Sequence, residues 1–493
     1  MPEEYAATLT ERLSEWASAM KPADVPDRVM ALARSQVISQ LAAIRAGSAH
    51  PLGRQLVAAF GPPWQADPAR CAAVLAGLGS WLHLDDTAYA GHLSNSTVAV
   101  PVAYAHALGL DGGELLAAVV AATECAARVT ASVTLGPFRG QSAAHTHLTG
   151  AVAGRLRCAG APAHVWVSAL GIAFGMPPWT LLRGFLGSDS KVLSAVTPVR
   201  AALDACDAAE AGLAGAEDIM EHPDGFLARF AAVPLGENIV EGLGSRWYTD
   251  TLSFKAQPGG PGVDAAVDCA RELHGELAPL DVADVDEVVV TSSLYTLVTD
   301  QRAAPYLDGP RSPVSALVMS VGYLVATALL TGTVTAADLA PPLLDDPRRW
   351  ELAAKVRLEH DDGMTRELMR SVAPIGEALR QAGGQARTWL AETGGQWLVD
   401  LVGDLDPPSA TYEHASKVTP ARLEVRLRDG RQVRRELAIP VGAAGSPERE
   451  RHGEFVREKF LAEGGPVDAA DALAELELLT AAELRHALDR SLS

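Results

Sequence analysis

Cysteine is scarce in this chain, with five in 493 residues. Cys71, Cys125, Cys158, Cys206 and Cys269 are scattered, without a C-x-x-C pair or a histidine at zinc-ligand spacing. That argues against a disulfide framework or a structural zinc module and suits reduced thiols packed as small apolar residues. Positive charge is the second shortage. Lysine and arginine number 41 against 61 acidic residues, for a net charge of −20. Nucleic acid and anionic membrane are repelled by such a surface, and a cationic pocket for an anionic substrate becomes conspicuous. The opening Met1-Pro2-Glu3-Glu4 is acidic and has no apolar core, so no secretory signal is expected and a cytoplasmic protein is. Walker loop, dinucleotide fingerprint, nucleophile elbow and H-E-x-x-H are all missing, which removes the commonest cofactor-dependent classes. Val314 to Thr333 is apolar for about the length of a membrane span. It carries Ser315, Ser320, Gly322, Tyr323 and Thr327 without basic flanks, and so reads as a buried core helix.

What is present is a long run of helix-period apolar sequence, and a chain of this length predicts two structural domains. Helices are expected from Val29 to Gly47, over 71–84, from Pro101 to Leu108, and from the Asp111-Gly112-Gly113 cap to Val129. Others follow over Gly150–Ala159, Val165–Phe174 and 196–214. Near Thr251 the character changes. Lys255-Ala256-Gln257-Pro258-Gly259-Gly260-Pro261-Gly262 is a loop and a domain crossover. Beyond it come a helix to Leu277, β-branched strands over Val285–Thr291 and Val356–His360, and a hairpin about Arg428-Asp429-Gly430. The expectation is a mainly α protein, with an all-helical domain over 1–251 and a smaller α+β unit over 252–440. Residues 372–416 look inserted, and helices over 441–493 return to the first domain.

The polar stretch Trp81-Leu82-His83-Leu84-Asp85-Asp86-Thr87, with His92 and Ser94-Asn95-Ser96, lies between apolar helices. Such a knot lines a pocket, because buried charge is costly unless paired or used; the competing reading is a capping loop. His145 and His147 stand two apart, just before a helix. They fit one acid or base better than a metal site, for which no third ligand is evident. Lys191 follows the Gly/Ser loop Gly187-Ser188-Asp189-Ser190, and Lys255 sits in the crossover. Each reads as an anion-holding group or as an exposed lysine. Ser320 and Tyr323 share one helix face, as pocket hydroxyls or as satisfied core groups.

Taken together, these stretches resemble the MmgE/PrpD family. The resemblance rests on Leu84-Asp85-Asp86-Thr87 with His92 and Ser94, on Ala169-Leu170-Gly171-Ile172-Ala173, and on Lys191 after its loop. It rests also on Glu221 to Phe226, Lys255 with Pro258, and Ser320/Tyr323 before Leu329-Leu330-Thr331-Gly332. It implies a large helical domain built from both chain ends, a smaller α+β lid, and a homodimer. It further implies chemistry without cofactor or metal on a small di- or tricarboxylate, with loss of water or CO2, in a pocket between the domains.

The site residues follow by motif match. His92, with His83 or His147 as counterpart, would move the proton, and Asp86 would orient or tune a histidine. Lys191 and Lys255 would stabilise the anion. Thr87, Gln141, His145, Ser320 and Tyr323 would line the pocket. The chain departs from the family pattern at His83, where decarboxylase-like members have aspartate, and at Gln141 or Ser142, near the family's pocket histidine. It departs again at Leu93 and Gly260. A relative retuned for another substrate is expected; an isomerase using the same pocket and a silent binding protein are the alternatives.

Overall fold

The computed structural model describes residues 6–136 and 144–493; Gln141 lies outside them. Helices form where apolar stripes meet capping residues. Thr8 with Glu11, and Asp111 with Glu114, make reciprocal capping boxes at the starts of Leu9–Ala19 and Gly112–Ser132. The interior is built on Asp27–Ala49, Pro68–Ser80, Ala99–Leu108, Gly112–Ser132, Ala144–Cys158 and Leu193–Glu210. Alanine and glycine on the facing surfaces let the backbones approach closely. A Cβ at Gly47 would stand 1.9 Å from the Leu78 carbonyl oxygen, so no larger residue fits that crossing. Gly112–Ser132 is long and apolar enough to cross a membrane, but it is wholly buried in protein and carries the Glu124–Arg128 pair.

The C-terminal helices pack on this bundle. His452–Ala462 lies along Asp27–Ala49, and the Gly112 amide donates to the Leu479 carbonyl at 2.9 Å.

The C-terminal region holds a four-stranded mixed sheet. Val285–Ser292 (β1) pairs parallel with Val356–His360 (β2) and antiparallel with Ala421–Leu427 (β3), which forms a hairpin with Gln432–Leu437 (β4). The order is β2-β1-β3-β4. Ala421, Leu423, Val425 and Leu427 all face inward, with helices Asp264–Leu277 and Val321–Thr331 on that side of the sheet. The chain is therefore mainly helical with a small mixed sheet in its C-terminal region. One expectation needs correction: the apolar run from 314 is two helices, Val314–Leu317 and Val321–Thr331. The break falls at Ser320, whose hydroxyl caps the second by accepting from the Tyr323 amide. A polar cap inside an apolar run ends one helix and starts the next.

Residues 372–416 pack against both N-terminal and C-terminal parts of the chain. Ile375–Ala382 and Gln385–Val402, the latter kinked at Gly395, carry Leu379, Trp389, Leu398 and Val402. These form a second apolar cluster with Leu135, Val233 and Leu235 of the helical part. The segment ends with the Tyr412 ring against Tyr248 (4.9 Å) and Tyr89 (5.9 Å).

Candidate active site

The site is assembled on residues 80–97, where helix Pro68–Ser80 stops and the chain turns sharply. His83 (φ 53°) and Tyr89 (φ 49°) both adopt left-handed backbone. That is an unfavourable conformation for a side chain with a Cβ, costing on the order of 1–3 kcal/mol, and it persists only where the surroundings impose it. The surroundings do. Thr87 and Ser253 exchange backbone hydrogen bonds at 3.0 and 2.8 Å, joining the loop to the crossover. A single helical turn, Ser94–Thr97, then fans out three polar residues in succession. Ser94 Oγ donates to Asp86 Oδ2 (2.5 Å), Asn95 Nδ2 to Asp85 Oδ2 (2.8 Å), and Ser96 Oγ meets His147 Nδ1 (3.2 Å). Gln36 and Gln40, one turn apart on a buried helix, hold Ser94 and Asn95 from behind at 2.9 and 3.0 Å. Ser94 and Ser96 thus cap neither of the helices that follow, whose N-caps are Leu93 and Val98; their hydroxyls bond Asp86 and His147.

Asp85 is fully buried and lies 3.0 Å from His92 Nδ1. Burial raises its pKa, but His92, Lys255 and Lys191 outweigh burial and leave it below the usual carboxylate range. An ionised Asp85 accepting from Nδ1–H sets the tautomer of His92 with Nε2 free to take a proton. Among the described residues Nε2 has no hydrogen-bond partner. The His83 ring stacks on His92 at 4.5 Å between centroids. Burial, then Lys191, His92 and Lys255, push His83 well below its ordinary value, so it stands neutral. His147 is likewise neutral, pulled by burial down to about 3.

Four lysines surround this core. Lys191 Nζ donates to the carbonyls of Ser80 (3.3 Å) and Trp81 (2.7 Å), the negative end of helix Pro68–Ser80. Lys255 donates to the Gly259 carbonyl and lies 3.4 Å from Asp264. Lys459 donates to the Leu84 carbonyl (2.7 Å) and Ser39 Oγ (2.9 Å). Lys417 donates to Thr87 Oγ1 (2.8 Å). Burial lowers Lys191 to about 7 and Lys417 and Lys459 to about 8. Burial also raises Asp86 to about 7, against the pull of Ser94 and Lys459. Among the described residues, neither Lys191 nor Lys417 has a carboxylate within ion-pair distance. Lys191 is buried and Lys417 half-buried, and an ammonium with no carboxylate beside it favours an anion.

The structure brings His83, Asp85, Asp86, Thr87, His92, His147, Lys191 and Lys255 into this neighbourhood. Two details differ from the expectation. It is Asp85 that orients His92, whereas Asp86 is turned to Ser94 and Lys459. His145 and His147 lie within helix Ala144–Cys158 rather than before it, and two residues of helix separate their faces: His145 packs on Phe226 at 5.5 Å. Ser320 and Tyr323 are not drawn in. Ser320 is spent on its helix cap, and Tyr323 donates to the Asp338 carbonyl and stacks on Trp350 at 4.7 Å. Among the described residues none of their hydrogen bonds or ring contacts reaches the histidines or lysines of the site. Among the described residues no group of three His, Cys, Asp or Glu could hold a metal.

Sequence reading missed Lys459 and Lys417. For Lys459 a signal existed: it shares the apolar face of its helix with Val456 and Phe460, where an unused lysine is costly. Lys417 sits in irregular chain and gives no local signal.

No individually curated protein matches the chain. The MmgE/PrpD N-terminal domain matches residues 11–234 and the MmgE/PrpD C-terminal domain residues 261–395, so the matched region takes in the first half of 372–416. The N-terminal match runs across the elements that carry His83, Asp85, His92, His147 and Lys191, the two matches together cover well over half of the chain, and the chain belongs to the MmgE/PrpD family, typically lyases of the carboxylic acid dehydratase or decarboxylase type.

Proposed function

We propose that this protein is a cofactor-independent lyase that removes a proton α to a carboxylate of a small di- or tricarboxylic acid, with departure of water or CO2. The observation that carries the reading is the Asp85–His92 pair, with Nε2 free, inside a ring of lysines. Removing an α-proton needs a base with an accepting nitrogen and fixed positive charge for the developing enolate. His92, oriented by Asp85, is the base. Lys191 and Lys255 hold the carboxylates. His83 or His147, both neutral, relays the proton to the departing group.

A second reading has support from the same stack of imidazoles. Neutral His83 against His92 provides a place to hold a proton and return it, as an isomerase or epimerase requires. We also propose a homodimer, for which the exposed apolar residues Met176, Trp179, Leu181 and Leu182 offer a contact face; the mass of the protein in solution tests it.

Incubation with citrate-like, aconitate-like and alkyl-substituted dicarboxylates in deuterated buffer, followed by mass spectrometry, tests the reaction. Loss of water or CO2 is the expected result. Deuterium gain at constant heavy-atom composition would replace the lyase with the isomerase. Binding without any change, unaffected by His92→Ala, would make the protein a binding protein.

A further inference from the structure

Lys417 is not used by the reaction outlined above, yet it is built into the site. Tyr412, five residues earlier, is packed against Tyr89 and Tyr248. The Lys417 amide is bonded to the Ala444 carbonyl at 2.9 Å. The backbone is therefore fixed on both sides, and the side chain reaches across from the end of the 372–416 segment to Thr87 Oγ1. That contact uses one of three N–H donors.

Lys417 lines a cavity of about 10 Å³ with Lys255, Asp264 and Asp268. The space suits one water-sized group, the size of a carboxylate oxygen. The charges around it do not balance. Asp264 is taken by Lys255 at 3.4 Å. Asp268 accepts from Gln257 (3.0 Å) and the Val441 amide (2.9 Å), and burial raises it to about 7. The other carboxylate Lys417 senses, Asp85, is held by His92 and Asn95. A half-buried ammonium remains, sharing the wall of a small cavity with a second ammonium, and among the described residues it has no carboxylate of its own.

We propose that Lys417 is a specificity-determining residue that binds a second anionic group of the substrate, at the opposite end of loop 80–87 from Lys191. The inference rests on the lyase reading in one respect, that the site accepts carboxylic acids. Its consequence is a requirement for at least two carboxylates, one at each end of the loop.

The test is calorimetric titration of the full chain with three unreactive acids: tricarballylate, succinate and butyrate. Wild type is compared with Lys417→Met and Lys417→Arg, and the melting temperature of each unliganded protein is recorded. Loss of one charged hydrogen bond predicts that Lys417→Met weakens tricarballylate and succinate by on the order of tenfold to a hundredfold. Butyrate is expected to be unchanged, the unliganded melting temperature close to wild type, and Lys417→Arg partly restored. Equal affinities for all three acids in wild type and Lys417→Met would overturn the role of Lys417 and leave the lyase reading standing. A uniform loss for every acid, with a lowered unliganded melting temperature, would make Lys417 a structural strut and overturn the proposal. If wild type binds none of the acids, the functional reading fails and takes this inference with it. Should Lys417→Met not fold, Lys417→Gln, which keeps a donor for Thr87, carries the same comparison.

Discussion

The rings of His83 and His92 stack at 4.5 Å with only 25° between their planes, while Asp85 holds His92 from its Nδ1 side. Two imidazolium ions in that contact would repel, so the stack accommodates one proton. In the reaction proposed above His92 is the base, with His83 or His147 as the relay.

His92→Gln is accordingly expected to lower turnover by roughly 10²–10⁴-fold, the usual contribution of a positioned acid or base. Asp85→Asn should also lower turnover, by leaving the imidazole tautomer unfixed, whereas Asp86→Asn should affect stability more than rate. Rates on the best acid of the panel, with unliganded melting temperatures alongside, separate these effects. Equal rates for His92→Gln and wild type would remove His92 from the mechanism.

Lys191 acts on His83 through charge. Replacing it by methionine removes a positive neighbour, so the His83 pKa is expected to rise toward its ordinary value of 6.5. Imidazole nitrogen shifts followed against pH read this directly. An unchanged His83 titration would mean that burial, with His92 and Lys255, sets its protonation without Lys191.

The buried lysines and Asp86 make stability depend on pH, and the signs are opposite. Asp86 titrates at about 7 in the folded protein against an ordinary 3.8, so its contribution falls as pH rises through that interval. Lys191 titrates at about 7 folded against 10.5, and Lys417 and Lys459 at about 8 against 10.5. Between those values the unfolded chain binds more protons than the folded one, so stability rises with pH. Below neutrality the lowered pKa values of His83 and His147 oppose Asp86, so the readable effect is on the alkaline side, where the melting temperature of the unliganded protein should recover from neutrality toward pH 9 or so. In Lys191→Met the recovery should be shallower; a slope identical to wild type would show that Lys191 does not contribute.

Glu124 and Arg128 form a fully buried pair 3.4 Å apart. Glu124 accepts from the Tyr248 and Thr249 amides and from Thr249 Oγ1, and Arg128 donates to the carbonyls of Glu241, Gly242 and Arg246. Together they fix residues 241–251, which lead into Ser253 and Lys255. Glu124→Ala strands the guanidinium and should cost about 3–5 kcal/mol in chemical denaturation. A loss under about 1 kcal/mol would indicate that the loop re-forms its bonds without Glu124.

Gly150 lies in helix Ala144–Cys158 behind His147, and a Cβ there would come within 2.5 Å of Ser96 Oγ. Because Ser96 holds His147, Gly150→Ala should lower activity through displacement of His147 while the helix itself is retained. Unaltered kinetics would show that Ser96 can yield without moving the imidazole.

Much of this protein was legible in order along the chain. The helix-period apolar runs, the Asp111 cap and the β-branched strands depend on neighbours a few residues away, and period and capping chemistry report such neighbours directly. The polar stretch 83–96 stood out for the same reason, as charge set between apolar helices. Legibility stopped where a group's role depends on a partner far away in sequence. Asp85 and Asp86 are adjacent and chemically identical, and only the turn at Ser94–Thr97 assigns His92 to one and Ser94 to the other. Tyr323 has the right residue type for a pocket, but the Asp338 carbonyl claims its hydroxyl.

What the sequence by itself determined is therefore the mainly helical class, the small sheet, the family resemblance and the region where the polar groups gather. Only the tertiary structure decided which lysines surround them. Lys417 meets Thr87 across 330 residues and Lys459 meets Leu84 across 375. Contacts of that range come from how residue 417 and helix His452–Ala462 are brought back to loop 80–87. Burying those charges costs energy that is offset only by the hydrogen bonds and opposite charges gathered in the same low-dielectric space, which no local pattern records.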